Sequence, residues 1–129
     1  WQFIVVEDAG VLGRLALSRP GAGFIKDAAL GIVIAADPEK SDVWIEDASI
    51  AATILHLTAE ALGLGSCWIQ IRERQRSEGE TAEEYVRGIL GIPENLKVAA
   101  MIAVGYPAEH KPAYAEDDLK FDKIHRNKF

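Results

Sequence analysis

The amino-acid sequence predicts one compact domain of mixed α and β structure, and three observations carry that prediction. Nearly half of its 129 residues, 49%, are apolar, enough at this length for one real core. Four short runs, at 3–6, 28–36, 66–71 and 96–104, are rich in β-branched, aromatic or small apolar residues and read as strands. The stretches between them carry helix start and stop signals and helical spacing of their polar residues.

The elements follow in order. Phe3 to Val6 form a strand, and Glu7-Asp8 supply the N-terminal signal for a short helix through Leu17. Ser18-Arg19-Pro20-Gly21-Ala22-Gly23 is a cluster of turn formers. The run from Ala28 to Ala36, closed by Asp37-Pro38, is short and wholly apolar, which predicts a central strand buried on both faces. From Val43 to Leu62 the polar residues Glu46, Ser49, Thr53, His56 and Glu60 recur every three or four positions. At about 100° per residue they occupy roughly a quarter of a helix circumference, so most of the remaining surface is expected to be buried, part of it against a second subunit. Ala48, Ala51, Ala52, Ala59 and Ala61 would let another helix approach closely. Gly63 is the natural cap of this helix, and Ser66 to Ile71 follow as a strand around a sharp corner. Thr81-Ala82-Glu83-Glu84 has the capping-box spacing and opens an amphipathic helix through Leu90, which Gly91-Ile92-Pro93 stops. Leu96 to Val104 is a second buried strand. Beyond Pro107 the chain turns polar and keeps only Tyr114, Leu119, Phe121, Ile124 and Phe129 as apolar anchors, the spacing of an extended arm over 107–129 that lies on another surface.

Composition excludes several functions. Fourteen Lys and Arg against twenty Asp and Glu give a net charge of −6, which argues against a surface built to neutralise nucleic-acid phosphates. A single cysteine, Cys67, allows neither an internal disulfide nor a multi-cysteine metal cage, and a reducing cytoplasm fits it best. No apolar run approaches the roughly 20 residues of a membrane helix, and no basic-then-apolar leader opens the chain. The chain starts at Trp1, inside a strand and without an initiator methionine, and is expected to be the remainder of something longer.

Candidate chemistry is sparse. Gly21-Ala22-Gly23 lacks the spacing and the Ser or Thr of a P-loop, and Gly63-Leu64-Gly65 follows a helix where a dinucleotide fingerprint must follow a strand. Cys67 lies between Ser66 and Trp68 with no histidine in its segment to activate it, and is expected to be a buried core residue. His56, His110 and His125 lack the four-residue spacing of paired ligands and read as solvated or hydrogen-bonded surface residues. Arg72, Arg74 and Arg76, followed by Glu78, Glu80, Glu83 and Glu84, could face a phosphate, but an exposed strand end of mixed charge is the simpler reading. If the chain is an enzyme, its hard chemistry is carried by a cofactor.

Several segments in order resemble the nitroreductase superfamily of FMN proteins. They are Trp1-Gln2-Phe3-Ile4-Val5-Val6-Glu7-Asp8, Ala35-Ala36-Asp37-Pro38, Asp47-Ala48-Ser49-Ile50-Ala51-Ala52 and Ala61-Leu62-Gly63-Leu64-Gly65-Ser66-Cys67-Trp68-Ile69, then Ile89-Leu90-Gly91-Ile92-Pro93 and Ile102-Ala103-Val104-Gly105-Tyr106-Pro107-Ala108-Glu109. The resemblance implies an α+β fold, a central and mostly antiparallel sheet flanked by helices, with an extended C-terminal arm. It implies a homodimer built on the long helix, with one FMN at each of two subunit-interface sites. The strand after the glycine corner would lie along the flavin, its backbone N–H groups reaching the N5/O4 edge. By position that role falls on Trp68, Ile69, Gln70 and Ile71, with Gly65 at the corner.

The implied reaction is ping-pong: NAD(P)H reduces the flavin and leaves, and a nitroaromatic, quinone or similar small-molecule electron acceptor is reduced in the same place. The family's N-terminal segments, an Arg-Arg-Ser type grip on the FMN phosphate and a Ser/Asn/Gln-Pro contact just before the Trp, have no counterpart here. Lys111 and Lys120 of the arm are left as phosphate candidates. The alternative, from another functional class, is a flavin-free or flavin-sequestering dimeric scaffold without turnover. A third reading is other chemistry on the same scaffold, such as reductive dehalogenation or flavin fragmentation.

Overall fold

A computed structural model describes residues 1–109 and 111–129; His110, expected at the surface, lies outside the described residues. The chain runs β1 (Gln2–Val6), α1 (Ala9–Leu15), β2 (Leu30–Ala36), α2 (Trp44–Ala61), β3 (Gly65–Gln70), β4 (Gln75–Ser77), β5 (Glu80–Thr81), α3 (Ala82–Leu90) and β6 (Lys97–Gly105). Single 3₁₀ turns lie at Gly23–Asp27, Glu116–Asp118 and Phe121–Lys123.

Four strands form one sheet in the order β1-β2-β6-β3, and every neighbouring pair is antiparallel, so the fold is the expected α+β type. The two apolar runs that predicted doubly buried strands are its inner strands. Val98 to Val104 are all buried on β6, and Val33 to Ala36 on β2. One face packs Val33, Ile69, Ile71 and Met101 against Leu12 and Leu15 of α1 and Val86 of α3. The opposite face packs Ile34, Ala99, Ile102 and Val104 against Ala48, Ala52 and Ala59 of α2. Alternation along each strand sends successive side chains to the two cores. A bulge between Ile34 and Ala35 shifts the β2–β6 register at the end near Val98.

Local chemistry sets the helix ends. The Asp8 carboxylate accepts from the Val11 N–H at 2.8 Å and caps α1. Thr81 and Glu84 form the reciprocal capping box of α3, Thr81 Oγ1 accepting from the Glu84 N–H at 3.1 Å and Glu84 Oε2 from the Thr81 N–H at 2.9 Å. Past α2, Gly63 turns left-handed at φ 73°, the Leu64 N–H reaches Ala59 O at 2.8 Å and the Gly63 N–H reaches Glu60 O at 2.9 Å. This Schellman closure leaves only Leu62, Gly63 and Leu64 between the helix and β3.

The structure sharpens the readings of α2 and His56 and corrects that of Cys67. Within this chain α2 buries only one face: Ala48, Ala52 and Ala59 are covered, whereas Ile50, Ile54 and Leu57 are 61%, 58% and 66% exposed. Polar spacing located the polar stripe but could not show which remaining face the sheet covers. Cys67 is exposed and not core. It shares a strand face with Ile69 and Ile71, but neither α1 nor α3 covers that end of β3. His56 is half-buried, and its Nδ1 sits 2.6 Å from Ser66 Oγ, tying α2 to β3. The short β4–β5 hairpin was not expected at all. The arm's anchors Tyr114, Leu119, Phe121, Ile124 and Phe129 are all exposed.

Candidate functional site

Among the described residues β3 pairs with no strand but β6, so its other edge is open to partners from outside the sheet. The direction of each peptide follows from the contacts at its end. The Ile71 N–H points inward to Ala99 O at 3.4 Å, shared with the Arg72 N–H at 3.1 Å, whereas the Gln70 carbonyl points outward, where Arg19 Nη1 meets it at 3.4 Å. Because antiparallel residues alternate between facing the partner and facing away, Gln70 and Trp68 present their N–H groups outward, and Ile69 and Ile71 face β6.

Side chains fix this edge. The Trp68 indole Nε1–H donates to Gln70 Oε1 at 3.0 Å, and Gln70 Nε2 donates to Arg72 O at 2.9 Å. The Gln70 amide is thereby oriented by a donor and an acceptor, all half-buried, and it braces the turn that leaves the strand. Arg72 lies with its guanidinium 5.9 Å from the Trp44 ring centroid and is paired with Glu73 at 2.6 Å. Arg76 stacks 3.9 Å from the Tyr85 ring and pairs with Glu80. Two of the three arginines read as a mixed-charge strand end, Arg72 and Arg76, thus lie over aromatic rings.

The remaining candidates lie elsewhere. Gly65 and Lys111 line a broad concavity of about 1240 Å³ at the other end of β3, together with Phe24, Cys67, Gly105 and Tyr106. That concavity also carries Asp27, Glu60 and Glu109. Lys111 Nζ bonds Glu109 Oε1 at 3.1 Å, and this contact holds the lysine above its ordinary value. Lys120 is exposed in the arm and makes no ion pair among the described residues. The structure therefore brings together Trp68, Ile69, Gln70 and Ile71, and separately Gly65 with Lys111.

Arg19 was not anticipated. It sits 51 positions from Gln70 in a cluster that reads as an ordinary turn, and only the tertiary fold brings the two together. No group of three or more metal-ligating side chains occurs among the described residues. No helix among them is long and apolar enough to cross a membrane.

Comparison with known proteins gives a consistent result. A model of the nitroreductase family matches residues 1–106. A protein of Archaeoglobus fulgidus provisionally named NADH dehydrogenase/NAD(P)H nitroreductase is 36% identical, over 100% of this chain and 74% of its own length. A protein of the same provisional name from Methanothermobacter thermautotrophicus is 32% identical, over 100% of this chain and 65% of its own length. Among solved structures, an FMN-dependent nitroreductase of Clostridium difficile superposes with a TM-score of 0.98 at 49% identity, over 100% of this chain and 76% of that one.

Proposed function

The chain belongs to the nitroreductase family, and from that premise we propose that it is an FMN-dependent oxidoreductase. Its reductant in this reading is NAD(P)H and its oxidant a small molecule such as a nitroaromatic or a quinone, the two binding in turn at one place. The observation that carries the reading is the free edge of β3, where Trp68 and Gln70 present outward N–H groups on a strand end braced by the Gln70 side chain.

That edge fits the ring of a flavin. Amides held in fixed directions donate without reorganising, and aimed at the N5/O4 edge they favour the negative charge of the reduced ring. Bound FMN would supply hydride acceptance from NAD(P)H and hydride delivery to the second substrate. Trp68 and Gln70 would serve through their backbone, and Ile69 and Ile71 by anchoring the strand in the core beneath it. Gly65 shapes the corner at the far end. For the phosphate, Lys120 is the freer donor of the two candidates, since Lys111 is already paired with Glu109 and shares its concavity with three carboxylates.

The reading includes a second copy of the chain. Ile50, Ile54 and Leu57 form an exposed stripe on α2, and Ile50 and Ile54 join Trp1 and Phe3 around an apolar concavity of about 350 Å³. A stripe of this kind on a soluble domain marks an interaction surface, and the arm's exposed aromatic anchors call for the same. The exposed Cys67 thiol, unpaired within the chain, suits the reducing cytoplasm.

The test is the visible spectrum of the purified chain mixed with FMN. The reading predicts a bound flavin spectrum that bleaches under anaerobic NADH or NADPH and recovers on adding a nitroaromatic or a quinone. A chain that leaves added FMN free would contradict it and favour the scaffold alternative, as would bound FMN that neither reductant bleaches.

A further inference from the structure

The loop after α1 and the loop after β3 meet through arginines. Arg19 Nη1 reaches Gln70 O at 3.4 Å, and Arg76 Nε reaches Leu17 O at 3.2 Å. In a chain of net charge −6 this end of the sheet gathers four guanidinium groups, Arg19, Arg72, Arg74 and Arg76. Glu73 and Glu80 pair with Arg72 and Arg76. Arg19 and Arg74 have no carboxylate within 4.0 Å among the described residues and bond only to backbone carbonyls.

Arg19 is the better held of these two. It is half-buried, with Nε donating to Pro20 O at 2.9 Å and Nη1 to Gln70 O. Two of its five donors are thus fixed, which orients the plane and leaves the Nη2 donors unassigned. Their flank is bordered by Gly21, left-handed at φ 87°, where a Cβ would stand 3.8 Å from Nη2. The missing side chain leaves that flank open. A guanidinium partly withdrawn from water, oriented by carbonyls and unmatched by a carboxylate, is arranged for an oxyanion from outside.

We propose that Arg19 is a substrate-recognition residue, taking a phosphate or carboxylate group of the molecule that reacts beside the Gln70 edge of β3. The proposal rests on the flavin reading for where the reaction occurs. The oxyanion could belong to the phosphates of the nicotinamide nucleotide or to a carboxylate on the acceptor, and substrate pairs separate the two sources.

With the FMN-loaded chain, two ratios of kcat/KM are measured in the wild type, Arg19→Met and Arg19→Lys. The first compares NADH and NADPH with N-benzyl-dihydronicotinamide, a reductant without phosphates. The second compares 4-nitrobenzoate with nitrobenzene. Arg19→Met should lower one ratio about 10- to 100-fold, the range for losing a charge-assisted contact, and Arg19→Lys should restore part of it. A structural role alone would move both members of each pair together and leave the ratios flat. Independently, the Arg19 Nε–Hε resonance of the flavin-free chain is followed as inorganic pyrophosphate or benzoate is added. A saturable shift absent with chloride at equal ionic strength is expected. Flat ratios or no saturable shift would overturn the proposal. A chain that takes up no FMN but shows the shift would overturn the flavin reading alone.

Discussion

Replacing Gln70 by Met tests whether the brace on the β3 edge has the strength its geometry implies. The variant keeps the side chain's length but removes the acceptor of the Trp68 indole and the donor to Arg72 O, two hydrogen bonds of 3.0 and 2.9 Å. Each such bond contributes about 1 kcal/mol net, and a half-buried site lets water replace part of it, so the loss should be about 1–2 kcal/mol. Trp68→Phe removes the indole donor together with some packing, and the double variant isolates their mutual term. That coupling should be about 0.5–1.5 kcal/mol. Urea unfolding followed by far-UV circular dichroism gives all four stabilities, at one protein concentration because any association adds to apparent stability. Unchanged urea slopes would show that the folded and unfolded states kept their extents. A coupling indistinguishable from zero would refute the brace, whatever the single variants cost.

Other outcomes follow from the same structure. Ile54→Lys with Leu57→Lys places two cations on the exposed stripe of α2, and sedimentation equilibrium should show the variant as 14.1-kDa protomers and the wild type at twice that mass. A monomeric wild type would remove the dimer. Thr81→Ala deletes the α3 cap and should cost about 1 kcal/mol at neutral pH. The Thr81 hydroxyl and N–H hold the Glu84 carboxyl below its ordinary 4.5. A depressed acid stabilises the fold fully above its unfolded value and loses that contribution as pH falls through the folded one. The difference between wild type and Thr81→Ala should therefore narrow below about pH 4.5, and a gap constant with pH would contradict the box.

What the sequence made legible was whatever a single segment decides. The apolar runs at 28–36 and 96–104 needed no partner to read as inner strands, and Thr81 to Glu84 specify their own box within one turn. What it hid depends on where elements end relative to one another. Cys67 has the neighbours of a core residue, and its exposure follows only from how far α1 and α3 reach along β3. The composition of α2 called for more burial than one sheet supplies, and only the fold shows that the sheet takes its alanine face and leaves Ile50, Ile54 and Leu57 exposed. The β4–β5 hairpin pairs three residues with two, too short for any alternation to register. At the candidate site, Trp68 to Ile71 were legible as a strand, but the outward facing of Trp68 and Gln70 emerged only from the contacts of Ala99 and Arg19.

A flavin ring placed along the outward amides of Trp68 and Gln70 must report itself when FMN is titrated into the ¹⁵N-labelled chain. Saturable shifts of the Trp68 and Gln70 amides and of the Trp68 indole N–H are expected, with Gly65 and Lys111 little changed. Saturation without movement at Trp68 and Gln70, or shifts confined to the concavity around Gly65 and Lys111, would contradict it.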